Sequence, residues 1–393
     1  MQPIHHHPQI VLFDLRPLQT SYSQKGIGRC IREIAPRLAR SLGENSKRNT
    51  QDPLKDNPIG QLNIPSAFQV FSLVFASEKN PLPEIPVLIE MPKWKRPWLW
   101  DQLVLPFLLI LKKVHRLQNF VALGPLPQIS FPLFHFGRGL AVVYDYHLFA
   151  DTASDLEKFY RQTWRIQLQK IGISHARKVF VHAKSIEEES IQRGIPSHKI
   201  ILAPLGSDHL DATLPDAWSM ENFILSIGDT SNKNLAFTFS VLSLLRSRFI
   251  HLNWVIIGNR DLVLAQLDGA LREDLPTWIT ILPQATDGLV KACYLKALAL
   301  VFPSTREGFG IPILEAMRLG CPVLIPDIEP MKSILNYAPT TLPLENRETW
   351  GKTLTELLQD SEKRKAAVVA GKNQAEIFTW DATAKIFAQA YLE

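Results

Sequence analysis

Short apolar runs rich in valine and isoleucine alternate along this chain with longer segments whose apolar residues recur at helical spacing. The runs cover residues 10–14, 68–75, 141–145, 178–183 and 200–204, then 223–228, 253–258, 278–282, 299–304 and 322–326. Apolar runs of this length predict buried strands, and their alternation with helices predicts parallel sheets covered by helices on both faces. The pattern is typical of an α/β protein.

A polar stretch at residues 205–222 interrupts this alternation. We interpret it as a linker between two doubly wound, Rossmann-like domains, because 393 residues exceed the usual size of one domain. The first domain is predicted at residues 1–210 and the second at residues 211–375. A cleft faced by the two domains is the expected ligand site.

The composition predicts a globular protein with a substantial core, since 46% of the residues are hydrophobic and 21% are charged. Cys30, Cys293 and Cys321 form no CxxC pair, so neither a disulfide framework nor a zinc site is indicated. The first residues lack the basic and apolar regions of a signal peptide. We therefore expect a cytoplasmic protein.

Basic residues are concentrated in the first half of the chain. Residues 1–210 contain 26 lysines and arginines against 17 acidic residues, whereas the whole chain has a net charge of +5. This excess predicts an anionic partner, such as a phosphate-bearing molecule or a membrane surface. No nucleic-acid-binding motif accompanies it, so we expect no nucleic acid partner.

Two glutamates lie on either side of a glycine turn that follows the predicted strand at residues 299–304. Glu307 belongs to the sequence EGFG, and Glu315 follows a proline in the predicted first turn of a helix. Ligands of parallel sheets bind at the carboxyl ends of the strands, so both carboxylates are placed to accept hydrogen bonds from the paired hydroxyls of a ribose or hexose. Gly308 and Gly310 would let backbone N–H groups approach that ligand closely.

This order of strand, EGFG turn, proline and second glutamate resembles the retaining nucleotide-sugar glycosyltransferases of glycosyltransferase family 4, the group 1 type, which have the two-domain GT-B fold. The similarity extends to FILSIGDTSNKNL at residues 223–235, to GIGR at residues 26–29 and to IFTWDATAKIFAQAYLE at residues 377–393. The resemblance implies that a closing helix at residues 376–393 packs back on the N-terminal domain.

The resemblance also implies a site for a nucleoside diphosphate sugar, the co-substrate. Glu307 would contact the hydroxyls of the donor sugar and act in catalysis, and Glu315 would bind the ribose of the nucleotide. Lys233 would stabilise the diphosphate as a catalytic and binding group, while Asn232 occupies the position where the family usually has an arginine. The remaining donor-binding residues would be Gly26, Gly28, Gly228, Gly308, Phe309 and Gly310.

Most members of the family have a histidine–aspartate pair after a strand of the N-terminal domain. This chain has Tyr144 and Asp145 there, with His147 two residues further on, and we assign catalytic roles to Asp145 and His147. No cofactor and no metal are expected, because a lysine and helix N-termini can stabilise the diphosphate without a cation. The implied reaction transfers a hexose with retention, with mannose from GDP-mannose favoured, to a saccharide or lipid-linked acceptor in surface polysaccharide biosynthesis.

Two other functions fit part of the pattern. Glycoside hydrolases also use two carboxylates, but theirs must flank the scissile bond, whereas Glu307 and Glu315 belong to one domain. A non-catalytic protein that binds nucleotide sugars would fit Asn232 and the altered histidine position. A dinucleotide-binding oxidoreductase is disfavoured, because GIGRCI lacks the third glycine of that fingerprint.

One segment of the N-terminal half combines tryptophans, basic residues and an apolar run. It begins at Lys93 and ends at Arg116, and its apolar run at residues 103–111 is far shorter than the roughly 20 residues that a transmembrane helix needs. Tryptophans beside lysines favour the interface of an anionic membrane, and we predict peripheral contact with the inner face of the plasma membrane. The alternative is a helix of the first domain whose apolar residues pack on the sheet.

Overall fold

The computed structural model describes residues 9–19, 26–48, 68–76, 79–92, 100–101, 103–120, 139–144, 146, 171–215, 220–267, 275–335 and 340–392. The chain divides into two compact units. Unit 1 comprises Met1–Pro204 with Trp380–Glu393, and unit 2 comprises Leu205–Thr379. The division falls a few residues before the predicted boundary at 210 and a few residues after the predicted boundary at 375.

The described strands form two sheets, one in each unit. They are β1 (Gln9–Asp14), β2 (Phe68–Phe75), β3 (Val87–Met91), β4 (Val114–Asn119), β5 (Gly139–Val143), β6 (Lys178–Val181), β7 (Ile200–Leu202), β8 (Phe223–Ile227), β9 (Asn253–Ile257), β10 (Ile279–Leu282), β11 (Ala299–Val301), β12 (Val323–Pro326) and β13 (Thr341–Leu342). Their order is β3-β2-β1-β4-β5-β6-β7 in unit 1 and β10-β9-β8-β11-β12-β13 in unit 2.

All neighbouring strands in both sheets are paired in parallel. In unit 1 the strand order reverses between β1 and β4, and in unit 2 it reverses between β8 and β11. This is the doubly wound arrangement, in which a crevice opens at the carboxyl ends of the strands where the order reverses. Each unit is therefore Rossmann-like, as the alternation of apolar runs predicts.

The described helices cover the faces of the two sheets. They are α1 (Gly26–Arg48), α2 (Leu105–Leu111), α3 (Lys184–Gln192), α4 (Leu235–Arg246), α5 (Arg260–Leu267), α6 (Asp287–Lys296), α7 (Ile311–Arg318), α8 (Met331–Leu335), α9 (Arg347–Gln359), α10 (Ser361–Glu376) and α11 (Trp380–Leu392), with short 3-10 turns at Arg16–Gln19, Ser197–Lys199 and Ser231–Lys233. Side-chain caps define some of the helix starts, as where Thr286 accepts from the N–H of Leu289 at α6.

Helix α11 belongs to unit 1, although it follows unit 2 in sequence. Asp381 at its start accepts a hydrogen bond from Arg37 of α1 at 2.9 Å. Phe387 stacks on Phe180 of β6 with ring centroids 3.8 Å apart, and the hydroxyl of Tyr391 donates to Gln118 of β4 at 3.0 Å. The chain thus returns to the N-terminal sheet through one helix that buries its aromatic side chains there.

Strand β4 is an element that the analysis of the segment from Lys93 to Arg116 did not predict. Val114 begins a central strand that pairs with β1 and β5, so the last residues of that segment belong to the sheet. Apolar runs do not predict this strand, because it contains the polar residues Gln118 and Asn119, which are nevertheless buried. Residues 93–99, which carry three of the six lysines and arginines and two of the three tryptophans of the segment, lie outside the described residues.

Candidate functional site

The candidate site lies where the strand order of unit 2 reverses. Strands β8 and β11 are adjacent, with Ala299 paired to Ile224 and Leu300 paired to Leu225. The chain segments that leave the carboxyl ends of these two strands therefore lie side by side. One contains Gly228, Asn232 and Lys233, and the other contains Glu307.

The turn after β8 brings the backbone of Gly228 against the side chain of Lys233. Gly228 has a φ of +107°, a conformation that side-chain-bearing residues rarely adopt. A Cβ at this position would lie 2.6 Å from Cε of Lys233. Glycine is therefore needed here for two reasons, and it lets the lysine stem lie flat over the turn.

Lys233 and Glu307 form the central contact of the site. Nζ of Lys233 lies 2.5 Å from Oε1 of Glu307, and the two side chains are 16% and 12% exposed. Nζ also lies 4.6 Å from the ring centroid of Phe302, within the range of a cation–π contact. The structure thus brings the two residues together, and the pair remains within reach of solvent.

Asn232 ties the two loops to each other. Its side-chain Nδ2 donates to the carbonyl of Arg306 at 2.8 Å and to the hydroxyl of Ser304 at 3.2 Å. Its backbone carbonyl accepts from the N–H of Thr305 at 2.8 Å, and its Oδ1 accepts from Thr230 at 2.5 Å. At the place where the resembling family has an arginine, this chain has a neutral crosslink that holds the loop carrying Glu307.

The second glutamate lies in helix α7, which starts as the sequence predicts. Gly310 caps the helix with a φ of +103°, and a proline occupies its first turn. Glu315 is buried on the inner side of α7, with its side chain 12% exposed. The hydroxyl of Tyr294 donates to Oε2 at 2.8 Å, and Nε2 of His209 lies 2.9 Å from Oε1. The His209 contact is close but is not aligned as a hydrogen bond.

His209 and Tyr294 are site residues that the sequence analysis did not find. His209 lies in the stretch interpreted as a linker, yet its side chain is 1% exposed. Nearby, Ser207 accepts from Nε of Arg318 at 3.0 Å, and Arg318 also donates to the carbonyls of Ala375 and Phe378. Residues 205–210 are therefore a packed part of unit 2. A histidine among polar linker residues was the only sequence signal.

The other predicted donor-binding residues fall into two groups. In unit 2, Gly308 lies in the turn between Glu307 and α7, and Phe309 is buried with its ring 6.0 Å from that of Phe378. Only the backbone of Phe309 is thus available to a ligand. In unit 1, Gly26 and Gly28 lie in the first turn of α1. Their contact with a donor stays a prediction.

Asp145 and His147, the remaining predicted catalytic residues, lie outside the described residues. Their neighbour Tyr144 is half-buried with its hydroxyl inaccessible to solvent, and its ring centroid lies 4.9 Å from that of His182. Burial, together with the thiol of Cys30, raises the pKa of Tyr144 well above its ordinary value, so its hydroxyl stays protonated. The hydroxyl of Tyr144 therefore belongs to the interior of unit 1.

The three cysteines are buried and carry free thiols. In the part of the chain that the structure describes, no group of three or more His, Cys, Asp or Glu side chains is placed to hold a metal ion. The expectation of a reaction without metal or cofactor stays a prediction.

Comparison with known proteins agrees with this geometry. Residues 216–374 match the model of the family described as "Glycosyl transferases group 1". The O-antigen chain mannosyltransferase B of Escherichia coli is 32% identical over 104 residues, which are 26% of this chain and 27% of that protein. The match thus spans little more than a quarter of the relative.

Solved structures match over nearly the whole chain. WaaG, a glycosyltransferase involved in lipopolysaccharide biosynthesis, has a TM-score of 0.68 at 14% identity and covers 96% of this chain and 98% of its own. Anabaena HepE in complex with UDP and glucose has a TM-score of 0.68 at 14% identity, over 98% and 99% of the two chains. The fold is therefore GT-B, with two Rossmann-like domains. Within unit 2, residues 216–374 are similar to the group 1 glycosyl transferases.

Proposed function

We propose that the protein is a retaining glycosyltransferase that moves a hexose from a nucleoside diphosphate sugar to an acceptor hydroxyl. The observation that carries the proposal is the contact of Lys233 with Glu307 at the strand reversal of a group 1 domain. It puts a cation suited to a diphosphate next to a carboxylate suited to sugar hydroxyls. Glycoside hydrolysis is not favoured, because Lys233 neutralises one of the two carboxylates that it would need.

The roles of the residues follow from their charges. Lys233 would stabilise the negative charge that develops on the leaving diphosphate, and the nearby backbone N–H groups would add to this. Glu307 would exchange its contact with Lys233 for hydrogen bonds from the donor sugar, and Glu315 would accept from the ribose. Attack from the face that the diphosphate leaves would retain the anomeric configuration. Asp145, His147, Gly26 and Gly28 keep their assignments from the family resemblance.

Mannose from GDP-mannose is the favoured donor, with a saccharide or lipid-linked acceptor of surface polysaccharide biosynthesis. The name of the Escherichia coli relative, an O-antigen chain mannosyltransferase, supports this choice. UDP-glucose and UDP-N-acetylglucosamine are the alternatives, and the neighbour bound to UDP and glucose supports testing them. A third possibility is a protein that binds nucleotide sugars without transferring the sugar. It would differ from the proposed transferase only in showing no turnover.

The test is a turnover assay with GDP-mannose, UDP-glucose and UDP-N-acetylglucosamine, each with and without EDTA. Turnover of one donor that EDTA does not reduce is the expected result. Glu307→Gln should lower the transfer rate roughly tenfold to a hundredfold, since hydrogen bonds to a charged group contribute about 1.5–3 kcal/mol. Glu345→Gln, at an exposed glutamate of the same unit, is the matched control. Turnover of none of the donors, or equal rates in both variants, would contradict the proposal.

We further propose that unit 1 contacts an anionic membrane on its cytoplasmic side. In the described part of the chain, none of the helices has the length and apolar character needed to cross a membrane. Around α2, however, Leu103, Phe107, Ile110 and Leu111 are 69%, 64%, 53% and 62% exposed. Leu105 and Leu109 are buried on the opposite side, so the helix packs on unit 1 and still presents an apolar stripe.

The charge beside this stripe supports anionic lipid as the partner. The exposed lysines at 112 and 113 follow the helix directly, and each basic residue near an anionic surface adds about 1 kcal/mol to binding. We expect salt-sensitive sedimentation with liposomes that contain phosphatidylglycerol. Phe107→Ser with Leu111→Ser should weaken it, whereas Leu244→Ser with Ile250→Ser, at exposed positions of unit 2, should not. Absence of sedimentation at low salt would rule the contact out.

A further inference from the structure

Each oxygen of the Glu315 carboxylate has a polar side chain of the protein beside it, Tyr294 through a hydrogen bond and His209 through a close contact that is not aligned as one. Tyr294 of α6 donates its hydroxyl to Oε2 at 2.8 Å, and that hydroxyl also lies 3.0 Å from the carbonyl of Pro312. On the other side Nε2 of His209 is 2.9 Å from Oε1. These contacts come from two segments that are distant from α7 in sequence, and both side chains are nearly inaccessible to solvent.

The two contacts do not use all the hydrogen-bond acceptor positions of the Glu315 carboxylate. Its two oxygens together offer about four acceptor positions, so roughly two remain for a ligand. The side chain of Glu315 is 12% exposed, which leaves part of it open. A glutamate that is held in one rotamer loses less conformational freedom when it binds than a mobile one does, and its remaining acceptor positions point in fixed directions.

A phenol donates a hydrogen bond to a carboxylate only while it is protonated, and Tyr294 keeps its proton. Burial and the neighbouring charge of Glu315 raise the pKa of Tyr294 well above its ordinary value, so the donor is present at neutral pH. The hydroxyl has one hydrogen, and the shorter distance assigns it to Glu315 rather than to Pro312. Tyr294 therefore fixes the orientation of the carboxylate.

From this geometry we propose that Tyr294 and His209 are positioning residues, which hold Glu315 so that it selects ligands with a vicinal diol, such as the ribose of a nucleotide. This rests on the proposed function, in which Glu315 binds the ribose. Neither residue touches the ligand. Their effect is on selectivity for the hydroxyls rather than on binding of the phosphates or the base.

The experiment compares GDP with 2′,3′-dideoxy-GDP, and UDP with 2′,3′-dideoxy-UDP, by calorimetry on the full chain. The quantity measured is the ratio of the dissociation constants within each pair. We expect the wild-type protein to prefer the ribose form roughly tenfold to a hundredfold, as charged hydrogen bonds allow. Tyr294→Phe and His209→Leu should each reduce this preference about threefold or more, while affinity for the dideoxy form stays unchanged.

Two further variants separate positioning from a general loss of structure. His209→Gln keeps an N–H donor close to the place of Nε2 and should restore most of the preference that His209→Leu removes. Tyr391→Phe removes the hydroxyl of another buried tyrosine, which donates to Gln118 in unit 1, and should leave the preference unchanged. A structural effect would instead change affinity for both members of a pair.

The outcomes distinguish this inference from the proposal on which it rests. If Glu315→Gln lowers the preference but Tyr294→Phe and His209→Leu do not, the inference is overturned and the ribose role of Glu315 stands. If Glu315→Gln leaves the preference intact, both the inference and that role are overturned. Binding of neither GDP nor UDP would contradict the proposed function itself.

Discussion

Each unit of this protein has an ion pair where its strand order reverses, but the two pairs differ in burial. In unit 1, Arg16 follows β1 and contacts Asp14 at 2.7 Å and Asp101 at 2.5 Å, and all three side chains are at most 1% exposed. In unit 2, Lys233 has one carboxylate partner, Glu307, and the two side chains are 16% and 12% exposed. The same position in the fold thus carries two different kinds of pair.

The difference separates a structural ion pair from one that can exchange its partner for a ligand. Burial opposes the charge of Arg16, but the carboxylates of Asp101 and Asp14 outweigh it and raise the pKa of the guanidinium, so the residue is always charged. Two oxygens of Asp14 engage its planar fork, and a sulfur of Met91 lies 2.9 Å away. Lys233 has a flexible stem and, among the residues that the structure describes, a single charged contact, which a phosphate can replace.

Breaking the buried cluster should have the largest effect on stability. Asp101→Ala leaves the buried Nη1 of Arg16 without its carboxylate acceptor and should cost about 3 kcal/mol or more of the unfolding free energy of unit 1. The control is Asp381→Ala, because Asp381 is 73% exposed and its pair with Arg37 contributes about 0–1 kcal/mol. Hydrogen exchange of peptides from β1 and β4 under increasing urea measures both. Equal losses in the two variants would contradict the contrast.

The stability of unit 1 is also expected to depend on pH, because His182 is a buried titratable group of that unit. Burial lowers the pKa of His182 to about 4, partly opposed by its contact with the carbonyl of Ala203, whereas an unfolded histidine has a pKa near 6.5. Above pH 6.5 neither state binds the proton. As the pH falls from about 6.5 toward about 4, the unfolded state binds it and the folded state does not, so unit 1 loses stability.

The loss should approach about 3 kcal/mol at pH 4, from a pKa difference of roughly 2.5 units. Unfolding of unit 1 by urea between pH 7 and pH 4, followed by hydrogen exchange of β6, measures it. His182→Gln should remove this part of the pH dependence, and His251→Gln, at an exposed histidine of unit 2, should retain it. An unchanged pH profile in His182→Gln would refute the assignment.

The contrast between the units also shows what a sequence can predict. Apolar runs predict ten of the described strands, because strands buried on both faces need continuous apolar side chains. They do not predict β4, whose Gln118 is tolerated in the core because Tyr391, far along the chain, donates to it. A partner that only the fold supplies cannot be found from local composition.

The candidate site divides in the same way. Glu307 and Lys233 are recognisable because they lie in short motifs at strand ends, and the fold requires those ends to be adjacent. The roles of His209 and Tyr294 are not recognisable, because the contact of each with Glu315 depends on the fold and not on local spacing. Asn232 could be noticed as a departure from the family, but its role as a crosslink depends on the carbonyl of Arg306.

Removing the positive charge of Lys233, the more exposed cation of the two ion pairs, should weaken ligand binding while the fold is retained. Lys233→Ala should raise the dissociation constant for GDP about tenfold to a hundredfold, since charged hydrogen bonds contribute about 1.5–3 kcal/mol, and should change that for guanosine less than about threefold. Calorimetry with the two ligands measures the difference, with UDP and uridine as the second pair. Lys352→Ala, at an exposed lysine of α9, is the control. Equal losses for nucleotide and nucleoside would mean that Lys233 does not hold the phosphates.

The smallest effect is expected at Asn232, which tests whether the neutral crosslink substitutes for a second cation. Asn232→Ala removes the hydrogen bonds to Arg306 and Ser304, and this should weaken GDP binding by about 1 kcal/mol, or roughly fivefold, because the loop that carries Glu307 loses its support.

Asn232→Arg loses the same bonds but adds a charge beside Lys233. It should therefore bind GDP more tightly than Asn232→Ala and equal or exceed the wild-type protein, while its affinity for guanosine matches that of Asn232→Ala. Hydrogen exchange of residues 304–310 should rise in both variants. If the arginine variant binds GDP no better than the alanine variant, the diphosphate does not lie beside this turn. The difference between the exchangeable ion pair in unit 2 and the fixed ion pair in unit 1 would then have no role in ligand binding.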